Sequence, residues 1–170
     1  MRTIWIAGGV AVALGCGGAA AAQDTVRPAA VGLEHASADS LKAATRLQWA
    51  RALMMRGDFG VARRELVRSV RDARAAGLYP GPALWAVANV EHATAPLRAA
   101  ERLDELAGEA ERHGDPVEQA RALLAAAVLY QQVGRPEEVR ARVERLRPML
   151  RSPHLPEQLR ADLLRSIPVR

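Results

Sequence analysis

Apolar residues recur every three or four positions along most of the chain, the spacing that places them on one face of an amphipathic α-helix. The first such run starts after Ser37, a residue type that caps helix N-termini, and ends at Gly57. A second run follows at once and ends near Gly77. No segment alternates apolar and polar residues with a period of two. We therefore expect an all-α protein without a sheet.

Turn residues divide the rest of the chain into shorter helical segments. The clearest boundary is 114–118, Gly-Asp-Pro-Val-Glu, where a glycine can end one helix and Asp115 can cap the next. Glu118 is placed to return the bond to Asp115 in a capping box. Pro148 should bend or end the sixth helix. The pattern predicts six helices in three pairs, followed by a short closing helix.

The helix pairs resemble the tetratricopeptide repeat, in which a small residue on each helix allows close packing. The first pair carries the resemblance at Trp49, Ala50, Leu53, Gly57, Phe59, Ala62 and Leu66. The third pair carries it at Ala126, Ala127, Tyr130, Gly134, Val139 and Val143. The middle pair is looser and matches at Ala86, Val87, Val90, Ala99 and Leu103, with Thr94 in place of the glycine.

This resemblance spans about 38–151 and implies a short α-solenoid of three stacked antiparallel pairs with a C-terminal capping helix. The equivalent positions Ala62, Ala99 and Val139 are 37 and 40 residues apart. The family period is about 34 residues, so we expect longer turns between pairs. The alternative is a plain helical bundle in which alanines and leucines pack without a repeat register.

Residues 1–22 have the layout of a bacterial secretory signal peptide, with a positive start, an apolar run and small residues before Gln23. We expect export to the periplasm or cell envelope, 23–36 as a flexible lead-in, and 37–170 as the helical domain. Two alternatives stand beside cleavage after Ala22. One is an uncleaved membrane anchor, and the other is cleavage before a lipidated Cys16, because residues 13–16 loosely resemble a lipoprotein box.

Composition narrows the classes of partner. The net charge is +5 and nearly all of the positive charge is arginine, with Lys42 the only lysine. Export and an aromatic content of 4% argue against nucleic acid, which is commonly bound through stacking aromatic side chains. The only cysteine lies in the targeting segment, so after cleavage at Ala22 the folded part would have no disulfide.

No residue set predicts an enzyme, a cofactor or a metal site. None of the four histidines has a second histidine ligand at helical spacing. These histidines are His35, His92, His113 and His154. No serine lies in a GxSxG sequence, and no glycine loop could cradle a phosphate. The acidic residues of the fourth helix are interpreted as an ion-paired surface rather than an acid/base pair, and they are Asp104, Glu105, Glu109 and Glu111.

The resemblance implies one binding surface. In tetratricopeptide proteins the first helix of each pair lines a concave groove that holds a peptide or a partner helix. The matching positions here are Leu47, Arg51, Met54 and Met55, then Leu84, Ala88, Glu91 and His92, then Leu124, Val128, Gln131 and Gln132. The alternative is that the apolar members of this set are buried by a tight superhelix or by a dimer contact.

A second candidate surface is the arginine stripe of the second helix, opposite its apolar face, formed by Arg63, Arg64, Arg68, Arg71 and Arg74. It could meet an acidic partner or anionic lipid headgroups, or it is a solvated outer face. We predict a non-catalytic scaffold or adaptor with a protein or peptide partner, able to self-associate. Membrane contact would need Cys16 or the arginine stripe. The alternative function is a small periplasmic helical-bundle sensor of stress or of a ligand.

Overall fold

The computed structural model describes residues 38–167, and these residues form seven α-helices and no strand. The helices are α1 (Ala38–Met55), α2 (Phe59–Ala75), α3 (Gly81–His92), α4 (Pro96–Arg112), α5 (Pro116–Gln132), α6 (Pro136–Met149) and α7 (Glu157–Ser166). The prediction of an all-α fold is confirmed. The predicted signal peptide (1–22), lead-in (23–36), lipidation residue Cys16 and cap Ser37 lie outside the described residues.

Consecutive helices from α1 to α6 pack against each other, and α7 packs on α5. Ion pairs join alternate helices: Arg74 of α2 contacts Glu105 of α4, and Arg142 of α6 contacts Asp104 of α4. On the other side, Trp85 of α3 donates a hydrogen bond to a carboxylate of α5. Helices α1, α3, α5 and α7 thus form one layer, the odd layer, and α2, α4 and α6 form the even layer. This is the predicted solenoid-like stack of three pairs and a closing helix.

Four of the turns between helices close in the same way within the described residues. Gly57, Gly77, Gly114 and Gly134 all have positive φ, between 67° and 84°. In each turn the glycine N–H bonds to the carbonyl three residues earlier, and the next N–H bonds to the carbonyl five residues earlier. This Schellman closure satisfies the last carbonyls of the helix, and glycine adopts its left-handed conformation without a Cβ clash.

The boundary at Asp115 is confirmed as an N-cap but not as a reciprocal capping box. The Asp115 side chain accepts the Glu118 N–H at 2.9 Å. The Glu118 carboxylate does not return the bond, because the Asp115 N–H already donates to the Ala110 carbonyl in the Schellman closure. Glu118 is instead the acceptor for Trp85, so it joins α5 to α3.

The core combines alanines at the closest helix contacts with leucines beside them. Ala50, Ala62 and Leu66 are fully buried where α1 meets α2. The C-terminal end is closed by Leu155 and Leu163, which pack with buried residues of α5 and α6. The predicted capping role of the last helix is therefore confirmed. In the described part of the chain, no helix is long and apolar enough to cross a membrane.

We expect Gly114→Ala and Gly108→Ala to have opposite effects on stability. Alanine at 114 must adopt a φ of +67°, which should lower the free energy of unfolding by about 1 kcal/mol or more. Gly108 lies inside α4 with nothing near an added Cβ, so alanine there should raise stability by about 0.5–1 kcal/mol. Urea denaturation followed by circular dichroism measures both. Equal destabilisation by the two variants would contradict this account of the turn.

Candidate binding surface

Three positions in each odd helix of the three pairs face the even layer, spaced by four and then three residues. They are Arg46, Ala50 and Leu53 in α1, Leu84, Ala88 and Glu91 in α3, and Leu123, Ala127 and Tyr130 in α5. One member of each trio contacts the even layer through polar atoms. Arg46 bonds to Glu65 and Asp72 of α2, Glu91 pairs with an arginine of α2, and Tyr130 donates to an aspartate of α4.

This arrangement corrects the predicted groove in its middle helix. Leu84, Ala88 and Glu91 are only 1%, 3% and 1% exposed, so they belong to the core and offer no surface to a partner. The repeat pattern predicted that each position of α1 has its equivalent in α3 37 residues later. In the structure, the equivalent buried positions Ala50 and Ala88 are 38 residues apart. One residue rotates a helix face by about 100°. The prediction for α3 was wrong by one residue because Thr94 occupies the place of the glycine that marks the equivalent turn in the other two pairs.

The open side of the odd layer consists of the positions that follow each trio by one residue, and we call it the odd face. It is formed by Leu47, Arg51 and Met54 of α1, Trp85, Asn89 and His92 of α3, and Leu124, Val128 and Gln131 of α5. The apolar members are half-buried and the polar ones are exposed. The predicted residues Met55 and Gln132 are exposed at the C-terminal ends of α1 and α5, and Met55 is 88% exposed.

Sequence reasoning missed Trp85 and Asn89 on this face. Asn89 is a polar interruption in the apolar run 83–90, and Trp85 precedes it by four residues, so the pair marks the open side of α3. Using Asn89 to choose the open side of α3, instead of counting residues from α1, would have identified both residues. His92 remains on the odd face, one turn further along.

Glu91 has a structural role instead of the predicted binding role. Its carboxylate contacts Arg63 of α2 through Oε1, and its Oε2 lies 3.9 Å from Nε of Arg102 of α4. A buried carboxylate is costly unless charged partners surround it. Glu91 therefore ties α2, α3 and α4 at one point.

A second polar cluster ties the other end of the stack. The Tyr130 hydroxyl donates to Asp104 at 2.8 Å, Arg142 donates to the same carboxylate at 2.9 Å, and its guanidinium lies 4.6 Å from the Tyr130 ring centroid. Burial, together with the hydrogen bond to Asp104, raises the pKa of Tyr130. The phenol thus stays protonated and serves as a hydrogen-bond donor between α5 and α4 rather than as a proton-transfer group.

The predicted arginine stripe of α2 is only partly free. Arg63 pairs with Glu91, Arg68 with Glu65 at 2.6 Å, and Arg74 with carboxylates of α4. Within residues 38–167, Arg64 and Arg71 form no ion pair. The positive charge offered to an acidic partner or a lipid headgroup is therefore smaller than the sequence suggested.

The acidic residues of α4 are ion-paired as predicted, although their partners lie mostly on other helices. Glu109 contacts Arg74 at 2.5 Å and Arg112 at 2.8 Å. Burial of Glu109 opposes its ionisation, but hydrogen bonds from Arg112 and Arg74 outweigh that cost and lower its pKa. The described residues contain no group of three or more His, Cys, Asp or Glu side chains that could hold a metal ion.

Comparison of the chain with protein-family models, with curated proteins and with solved structures found no match. The resemblance to tetratricopeptide repeats rests on the residues named above and stays a prediction.

We expect removal of Arg63 to cost more stability than removal of Glu91. Arg63→Met leaves a buried carboxylate without its nearest cation, which should cost about 3 kcal/mol. Glu91→Met leaves two arginines that reach solvent, which should cost about 1 kcal/mol. The double variant should be more stable than Arg63→Met. Chemical denaturation of the four proteins tests this order, and the reverse order would show that Glu91 is not held by this pair.

The lowered pKa of Glu109 predicts a defined pH dependence. Because its folded-state pKa lies below the ordinary value of 4.5, its stabilising effect is complete above about pH 4.5 and is lost as the pH falls through the folded-state pKa. The stability difference between the wild type and Glu109→Gln should be largest at pH 7 and shrink at about pH 3. Urea titrations across this range measure it. A difference that grows on acidification would contradict the ion-pair assignment.

Proposed function

We propose that this protein is a non-catalytic interaction module of the bacterial cell envelope, and that its odd face binds an extended peptide or a partner helix. The observation that carries the proposal is that each of the three odd helices α1, α3 and α5 places half-buried apolar side chains on this face. These side chains are Leu47, Met54, Trp85, Leu124 and Val128. Apolar side chains that stay partly open to solvent on several neighbouring helices commonly mark an interaction site.

The odd face has the chemical character of a recognition surface for a helix or strand. Its apolar residues supply contact area, while Arg51, Asn89, His92 and Gln131 lie among them as exposed polar groups. An amphipathic segment can place its own apolar residues against such side chains and its polar residues against the rim. Arg51 is the charged member of the nine residues of the face, and it could pair with an acidic residue beside the apolar stripe of a partner segment.

Polar contacts within the odd layer and between the two layers support a preformed binding surface. The indole N–H of Trp85 donates to the Glu118 carboxylate, which fixes the orientation of the ring. Glu91 holds α3 to α2 through its ion pair with Arg63. A surface that is already ordered loses less conformational entropy on binding. The assignment to the envelope rests on the signal-peptide pattern of residues 1–22. Membrane attachment through Cys16 and self-association stay predictions.

Site-specific photo-cross-linking tests the proposal in cells. The full chain carries a benzophenone amino acid at Asn89 on the odd face, or at the exposed Arg98 of α4 as a matched control. Irradiation should produce a defined adduct from position 89 and none from position 98, in the envelope fraction. Adducts of equal yield from both positions, or a chain that stays in the cytosol, would contradict the proposal.

A second experiment tests whether the cross-linked adduct depends on the apolar side chains of the odd face. Val128→Asp introduces a charge into the face and should lower the yield from position 89 about tenfold, the loss expected when one central apolar contact is removed. Leu97→Asp introduces the same charge at an exposed position of α4 and should leave the yield of the adduct from position 89 unchanged. Circular dichroism confirms that both variants keep their helix content.

A further inference from the structure

We propose that a cavity between α2, α3 and α4 binds a small organic carboxylate that carries an apolar chain. The cavity has a volume of about 230 Å³. It is lined by Val67, Val70, Arg71, Arg74, Leu84, Val87, Arg102 and Glu105. It lies toward the even layer, because Leu84 belongs to the trio that faces that layer. The site is separate from the odd face, so either proposal can fail without the other.

The floor of the cavity is apolar. Val70, Leu84 and Val87 are buried, and Val67 is half-buried beside them. Arginine and glutamate side chains stand at the rim, because α2 and α4 are joined here by ion pairs such as Arg74–Glu105 rather than by close backbone packing. An apolar floor under a charged rim suits a ligand with a hydrocarbon body and one charged end.

One arginine of the lining has no ion-pair partner. Arg74 contacts both Glu105 and Glu109, and Arg102 contacts Glu105. Arg71 forms no ion pair anywhere in the described part of the chain. Its guanidinium presents a fork of N–H donors that matches a carboxylate. A monovalent anion in the cavity would give the exposed Arg71 side chain a carboxylate partner of the kind that Arg74 and Arg102 already have.

The size of the cavity limits the ligand. Sites for drug-sized molecules usually enclose about 300–1,000 Å³, so this smaller cavity suits a molecule of roughly ten non-hydrogen atoms. One unpaired arginine matches a carboxylate with a single charge better than a phosphate monoester, which carries about two charges at neutral pH. A medium-chain fatty acid anion meets both conditions.

Isothermal titration calorimetry on the full chain tests the proposal with three probes. Sodium octanoate, below its micelle concentration, has both the charge and the chain, octanol has only the chain, and sodium acetate has only the charge. We expect octanoate to bind at least tenfold more tightly than either of the others. Equal binding of octanol, equal binding of acetate, or no binding of octanoate would each overturn the proposal.

Two arginines of α2 provide a matched pair of variants. Arg71→Gln removes the unpaired charge at the cavity and should weaken octanoate binding about tenfold, as expected for loss of a charge-assisted hydrogen bond. Arg64→Gln removes an equally unpaired arginine on the same side of α2, seven residues earlier and outside the cavity lining. It should leave binding unchanged. Equal weakening by both variants would show that general positive charge attracts the anion and would overturn the site.

A third variant tests the apolar floor. Val67→Phe fills part of the cavity from a half-buried position and should abolish octanoate binding while acetate still gives no signal. Nuclear magnetic resonance of backbone amides adds a measurement that needs no variant. Octanoate should shift amides of α2, α3 and α4 around the cavity, and shifts confined to the odd face or to α7 would overturn the proposal.

Discussion

The structure depends on one constraint, which is that each helix can bury its apolar face only against the next helix. Ala50, Ala62, Ala99 and Ala126 are fully buried at these contacts. Their small side chains allow close backbone approach, and leucines fill the space beside them. A stack held in this way is stabilised pair by pair, so its last face needs a cover, and α7 supplies that cover.

Apolar contacts alone would permit neighbouring helices to slide or rotate, and the buried polar groups restrict those motions. Glu91 faces arginines of both α2 and α4 in only one register of α3, with Oε1 bonded to Arg63 and Oε2 left without a hydrogen-bond donor among the described residues. Tyr130 and Arg142 meet on Asp104 only when α4, α5 and α6 hold one register. These contacts lie on the side of the odd helices that faces the even layer, and the odd face makes none of them. The candidate functions follow from that division, with the odd face on one side and the arginine-rimmed cavity between the layers on the other.

Local sequence signals were sufficient for much of the fold. Helical periodicity, the recurring glycines and the Asp115-Pro116 boundary predicted the helices, the pairing and the closing helix correctly. The residues that the same signals proposed for binding in α1 and α5 are at least partly open to solvent. These signals failed at α3, because the turn after it has Thr94 where the repeat has glycine. The 37-residue spacing between Ala62 and Ala99 was then used to place the face of α3, and it assigned the buried Glu91 to the surface. A single residue decided this, because helix faces change within one position.

The sequence by itself determined that the chain forms paired helices, where most of them end, and which residues are apolar enough to be buried. These properties depend on contacts within a few residues, on caps, left-handed glycines and the 3.6-residue period. Only the tertiary structure decided which side of α3 is open, which of the α2 arginines are neutralised, and that Glu118 bonds to Trp85 instead of its own cap. Those outcomes depend on side chains that are distant in sequence, and their energies exist only after the two layers have packed.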